Sequence, residues 1–155
     1  MEELDLSDNY IGHINCDLSN LTKLQVLRIS HTLITSLSPN LASAFPHWTH
    51  LLELDLSHNK LVSLPDLTDL MSLGILDLSG NQLTSLPAGL RNLPDLHTFI
   101  IADNLLGSDS RKNSLSLSLA ISLFLSQHFL SPHTPPPSPN KQMRWHYWGC
   151  KGCKR

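Results

Sequence analysis

The chain has 155 residues, enough for one domain with a core of moderate size. Its formal net charge of −2 hides a split: residues 1–110 hold four basic residues against all thirteen acidic ones, a balance of −9, while residues 111–155 hold seven basic residues and no acidic one. The acidic balance disfavours nucleic-acid binding by the first segment, and three cysteines without paired spacings argue against a disulfide-stapled secreted domain.

The chain opens on MEELDLSDN, which lacks a basic region followed by an apolar run. No secretory signal is read, and the expected location is cytoplasmic (intracellular). The same stretch begins the first of five gap-free copies of one pattern: LDLSDNYI (4–11), LRISHTLI (27–34), LDLSHNKL (54–61), LDLSGNQL (76–83) and FIIADNLL (99–106). Their starts lie 23, 27, 22 and 23 positions apart. Leu54 and Leu56 stand two apart with Asp55 between them, so an extended strand buries both leucines on one side. The other side should face solvent. Its columns read Glu3, Val26, Glu53, Ile75, Thr98; then Asp5, Arg28, Asp55, Asp77, Ile100; then Ser7, Ser30, Ser57, Ser79, Ala102. After each strand an asparagine (Asn9, Asn59, Asn81, Asn104) turns the chain away; Thr32 takes its place in the second copy and offers only a hydroxyl.

The segments SLPDLTDLMSL (63–73) and SLPAGLRNLPDL (85–96) then return with their leucines inward. Pro65 and Pro87 favour extended or tight helical turns over long helices. The second return, LSPNLASAFPHWTHLL (37–52), is four to five residues longer and is expected to hold a helix around Leu41–Phe45. Trp48 within it reads as a core or cap residue, with a partner contact as the alternative.

With the upstream leucine included, Leu51–Leu61 and Leu73–Leu83 fit LxxLxLxxNxL at every position, and Leu96–Leu106 fits with Phe and Ile substitutions. This pattern resembles the leucine-rich repeat family over about two thirds of the chain. The short LP-containing copies of 22–24 residues are similar to those of intracellular signalling scaffolds, the Ras-binding and Scribble-like repeat proteins, and of Roco-type kinases. The resemblance implies an α/β solenoid, with short parallel strands on a concave face and irregular, 3-10 or short helical returns on a convex one. It also implies that Asn9, Asn59, Asn81 and Asn104 bond backbone groups of neighbouring turns as a buried ladder, with the rung at Thr32 the weakest. The expected division is 1–110 as repeats (1–23, 24–50, 51–72, 73–95 and 96–110) and 111–155 as a disordered tail. Met1 already fills the first position of a copy, so the sequence is expected to start inside a longer array, as a fragment or splice variant, leaving Leu4, Leu6 and Ile11 uncovered.

In this family the concave face usually binds proteins. The candidates here are Glu3, Asp5, Val26, Arg28, Glu53, Asp55, Ile75, Asp77, Thr98 and Ile100. Their carboxylates favour a basic or mixed-charge protein, and Val26, Ile75 and Ile100 offer apolar anchors. Against this stands a plainer reading, in which LDLS is ordinary filling that keeps the face soluble.

Catalytic patterns are missing. His31 and His58 fill a position held elsewhere by Asp8 and Gly80, so tolerance of polar or small groups explains them. There is no GxSxG elbow, phosphate loop or metalloprotease histidine pair. The expectation is no enzyme, no cofactor, no small-molecule substrate and no nucleic-acid partner.

Beyond the fifth copy the pattern stops. SLSLSLAISLFLSQHFL (114–130) carries no charged residue and leads into Pro132, Pro135, Pro136, Pro137 and Pro139. Serine interrupts it too often for a good membrane helix, which needs roughly 20 apolar residues, so membrane association is disfavoured. Its LSLSL alternation would suit an aggregation-prone strand, and its composition suits disorder. Twenty of the 28 residues 113–140 are Ser, Leu, Pro or Phe, all with pyrimidine-rich codons, as translation of a retained intron or shifted frame would yield. For the basic tail the alternatives are contact with RNA, contact with an acidic surface, or a fold-back onto its own acidic face. Cys150 and Cys153, with His146 four before them, are candidate zinc ligands, and only His128 or His133 could supply a fourth; redox and incidental thiols are the other readings, and no metal is expected. The function expected overall is protein–protein interaction in signalling or scaffolding. The alternatives are the repeat portion of a larger kinase or GTPase, or a tail-anchored membrane adaptor.

Overall fold

The alternation of apolar and polar residues in each copy settles as a three-residue strand in the computed structural model, which describes residues 1–106. These strands are β1 (Glu3–Asp5), β2 (Val26–Arg28), β3 (Glu53–Asp55), β4 (Ile75–Asp77) and β5 (Thr98–Ile100). They form one parallel sheet in chain order, each copy pairing with the next. The register sets Leu4, Leu27, Leu54, Leu76 and Phe99 in a single row. The expectations for the tail, including its disorder and the candidates His146, Cys150 and Cys153, lie outside the described residues.

Three further apolar rows complete the core. Leu24, Leu51, Leu73 and Leu96 precede the strands; Ile29, Leu56, Leu78 and Ile101 follow the central row; Ile34, Leu61, Leu83 and Leu106 close each turn, and all are buried. Leu67, Leu70, Leu90 and Leu93 reach in from the returning segments to meet them. In the first copy the equivalents Leu4, Leu6 and Ile11 are only partly buried.

Pairing continues past the strands. The amides of Leu6, Ile29, Leu56 and Leu78 donate to the carbonyls of Arg28, Asp55, Asp77 and Ile100 at 2.8–2.9 Å. Two residues on, Asp8, His31, His58 and Gly80 donate to Ser30, Ser57, Ser79 and Ala102. These four, with Asp103, hold left-handed backbone, φ between 53 and 63°. Asp, His and Gly are among the residue types that enter that region at least cost, which explains the composition of the column. Leu33, with φ 63°, is the bulky exception in the second copy.

The asparagines stitch the copies together behind this column. Asn59 Nδ2 donates backward to the Ile29 carbonyl (2.6 Å) and within its own copy to Leu56 and Ser57, while Oδ1 accepts from the amides of Thr32 and Ile34. Asn81 repeats the pattern with the Leu56 carbonyl and Leu61 amide, and Asn104 with the Leu78 carbonyl and Leu83 amide. Thr32 is fully buried but too short to follow. Its hydroxyl lies 3.1 Å from the Ile29 carbonyl and 3.0 Å from Asn59 Oδ1, so its one proton serves the second and third copies and not the first. Thr32→Asn should extend the rung toward the Leu6 carbonyl and raise stability by about 1 kcal/mol, the net worth of a typical added hydrogen bond. A lower urea midpoint for this variant would contradict that reading.

The long second return folds as a four-residue helix, α1 (Pro39–Ala42), then a 3-10 turn over Phe45–His47. Ser38 caps α1 by accepting from the Leu41 amide, and Pro39 sits at its first turn. The helix therefore begins and ends earlier than Leu41–Phe45. Pro46 has no amide hydrogen to continue an α-helical ladder, and the chain tightens instead. Trp48 ends this segment fully buried, packed against Phe45 with ring centroids 5.6 Å apart, and its indole N–H donates to the Leu18 carbonyl at 3.3 Å. Ser38 Oγ and Asn40 Nδ2 donate to the Ile14 and Asn15 carbonyls, so the extra residues clamp the second copy onto the first.

Candidate protein-recognition face

Strand register decides which side chains meet on the concave side. One row is Glu3, Val26, Glu53, Ile75 and Thr98, and the next but one is Asp5, Arg28, Asp55, Asp77 and Ile100. All ten candidates thus share one face of one sheet. Glu3 and Asp5 are exposed, and the other eight are half-buried between neighbouring strands. The serine column does not face solvent freely as the alternation suggests. Ser57 is only 6% exposed and its equivalents are half-buried, because the chain curls inward there toward the asparagine turn.

Charge on the face is organised around Arg28. Its Nε donates to Glu53 at 2.8 Å and its Nη1 to Glu3 at 2.5 Å, so one guanidinium ties strands β1, β2 and β3. The hydrogen bond that Arg28 donates to Glu53 pushes its pKa above the ordinary value against the opposing effect of burial, and the bond it donates to Glu3 adds to this. Such partly exposed pairs contribute ~0–1 kcal/mol each. Their larger consequence is to consume the single cation of both rows and two of their five carboxylates.

The aspartates do double duty. Asp5, Asp55 and Asp77 each accept from the amide two residues on, at Ser7, Ser57 and Ser79, with Oδ1 2.8–2.9 Å away. These local turns close the strand ends and give LDLS a structural reason. They occupy Oδ1 in each case, and Asp77 Oδ1 takes the Ser79 hydroxyl as well (2.7 Å). Past Arg28 the face grades from Asp55 and Asp77 into the apolar Ile75 and Ile100.

The Ser7 amide bond holds the Asp5 carboxyl below its ordinary pKa, as the Ser19 amide does for Asp17 and the Thr68 hydroxyl and amide do for Asp66. A carboxyl whose folded pKa is depressed stabilises the fold above its unfolded value of 3.8 and loses that contribution as pH falls through the folded value. Stability should therefore decline below about pH 4, and Asp5→Asn, Asp17→Asn and Asp66→Asn combined should flatten that acid limb in pH-dependent urea titrations. An unchanged limb would show that these turns do not carry it.

Beside the face, the rings of His31 and His58 stack with centroids 4.4 Å apart and planes 11° from parallel. In the sequence these histidines are explained by tolerance alone; their recurrence at one repeat position, where the left-handed backbone aligns the rings, is the signal that could have shown the stack. Among the described residues no group of three or more His, Cys, Asp or Glu is placed to hold a metal ion. Among those residues, too, no helix is long and apolar enough to cross a membrane.

Comparison with known proteins agrees with this architecture. The family profile described as "Leucine rich repeat" matches residues 41–83, and a second profile, "Leucine Rich Repeat", matches residues 1–21. A probable inactive serine/threonine-protein kinase, roco10, of Dictyostelium discoideum is 31% identical over 105 residues, covering 67% of this chain and 4% of its own length. An adenylate cyclase of Schizosaccharomyces pombe is 34% identical over 113 residues, 72% of this chain and 7% of its own. The chain thus spans less than a tenth of these relatives. Among solved structures, the functional domain of InlJ from Listeria monocytogenes superposes with a TM-score of 0.56 at 28% identity, over 68% of this chain and 21% of that one.

Proposed function

Because this chain belongs to the leucine-rich repeat family, we propose that it recognises a protein partner through the concave face of its five-stranded sheet. The observation that carries the reading is the grading of that face, from the Arg28-centred carboxylates through Asp55 and Asp77 to Ile75 and Ile100. An acidic field beside half-buried aliphatic groups suits a basic protein surface that carries an apolar anchor. The aspartates leave lone pairs for such a partner even while their Oδ1 atoms hold the turns. We place the chain in cytoplasmic signalling or scaffolding, on the likeness to a kinase and a cyclase that match through this region alone.

Neutralising the charge without breaking the turns tests this, since Asn keeps the acceptor that Asp supplies. Asp55→Asn with Asp77→Asn should remove bound proteins from affinity-purified full chain, as quantified by mass spectrometry. Asp69→Asn with Asp95→Asn, an equal charge change on the returning segments, should not. Equal loss from both variants, or from neither, would count against the concave face.

A second reading is that these repeats are the recognition part of a larger signalling enzyme. It is favoured by the kinase and cyclase relatives, which this chain matches over 4% and 7% of their length. A transcript that continues into a kinase or GTPase domain would support it, and one that ends with this reading frame would not.

A further inference from the structure

The chain also carries a basic, aromatic segment whose composition complements the acidic face. We propose that residues 141–155, KQMRWHYWGCKGCKR, dock in cis on the acidic half of the concave face and compete there with outside partners. The inference rests on the proposed function, since it names an occupant for the same face.

Charge complementarity is the first argument. The segment holds five basic residues, no acidic one, and three large aromatics in Trp145, Tyr147 and Trp148. The face offers the carboxylates of Asp55 and Asp77, with Ile100 in register beside Asp77 and Ile75 two residues before it on the same strand. Arg28, the register neighbour of Asp55, opposes the segment's charge only weakly, because the carboxylates of Glu3 and Glu53 already bond it. The segment's cations would therefore meet carboxylates that form no ion pair among the described residues, and its aromatic rings would meet aliphatic side chains.

Reach is the second argument. The described fold ends at Leu106, and 34 residues separate it from Lys141. A flexible chain of that length spans about 30 Å root-mean-square, and one richer in proline spans more. The five strands extend across only about 19 Å, four spacings of roughly 4.8 Å. A tether that exceeds the span without greatly overshooting it gives an effective concentration near the millimolar range, so even a weak contact is populated in cis. Removing the segment's charges should correspondingly raise the apparent affinity of the face for a basic partner.

The test uses the full chain. Cys150 and Cys153 lie inside the segment and accept a nitroxide once the exposed Cys16 is replaced by serine. Paramagnetic broadening should appear at the backbone amides of residues 53–55, 75–77 and 98–100 and spare residues 63–70 and 85–92. It should vanish in about 0.5 M NaCl, where screening acts within roughly 5 Å, and in the combined variant Glu53→Gln, Asp55→Asn, Asp77→Asn. Broadening that is absent, equal on both sides, or indifferent to those substitutions would overturn the proposal. So would broadening transferred to an isotope-labelled copy lacking nitroxide when mixed with a nitroxide-bearing unlabelled one, because the contact would then join two copies. Loss of bound proteins from the Asp55→Asn, Asp77→Asn variant without any broadening would sink the cis contact and leave the proposed function standing. Broadening without such loss would do the reverse.

Discussion

Replacing Asn59 by alanine should cost about 3 kcal/mol or more, the largest loss available from a single polar residue of this fold. The side chain is buried and joins two copies through the Ile29 carbonyl and the Thr32 and Ile34 amides, besides its own Leu56 and Ser57 carbonyls. Alanine leaves several buried groups unpaired at once, and each orphan costs ~1–3 kcal/mol before relaxation or entry of water. Because a solenoid is held by nearest-neighbour contacts, the loss falls at the seam between the second and third copies. Asn9→Ala is the built-in control. Asn9 is exposed, and among the described residues its side chain bonds only the Leu6 and Ser7 carbonyls of its own copy, so its removal should cost under about 1 kcal/mol. Urea unfolding of both variants decides the point. Equal midpoints would show that the asparagines act within copies and not between them.

Trp48→Ala should be comparably severe, about 3–5 kcal/mol, as for large aromatic side chains removed from cores. Trp48 is fully buried, touches Phe45, and donates its indole N–H to the Leu18 carbonyl of the preceding copy. Alanine opens a cavity and orphans that carbonyl together. Trp48→Phe keeps one aromatic ring in place and forfeits the rest of the indole with its hydrogen bond, so it should recover more than half of the loss. A Phe variant as unstable as the Ala variant would place the burden on the hydrogen bond instead of the packing. A small cost for both would return Trp48 to the alternative of a partner contact.

The solenoid could be read from the sequence because its signals repeat at fixed offsets. Leu54 and Leu56 declare a strand, Leu51 and Leu61 declare the turns around it, and the 23, 27, 22 and 23 offsets set the register that brings all five copies together. The short reach of Thr32 was legible for the same reason, since one hydroxyl cannot do what an amide does. Pairings across copies were not. Arg28 lies 25 residues from both Glu3 and Glu53, and nothing local marks it as their clamp. The dual use of Asp55 and Asp77 was equally hidden: LDLS spells an outward carboxylate, and only the turn geometry shows the Ser57 and Ser79 amides bound to it. Ser57 was misjudged because alternation assumes a straight strand, whereas these strands last three residues before the chain curls inward. The candidate face was therefore legible as a set of columns, and its electrostatics became legible only with the fold.

Site-specific photo-cross-linking tests the central claim most directly. A benzophenone side chain placed at Ile75 or Ile100 of the full chain should yield discrete protein adducts on irradiation in cells. The same group at Ser63 or Ser85, on the returning segments, should yield none. Adducts at the concave positions should weaken as salt is raised in permeabilised cells, as an acidic recognition face requires. Adducts formed equally from both sides, or only from Ser63 and Ser85, would contradict recognition through the concave sheet.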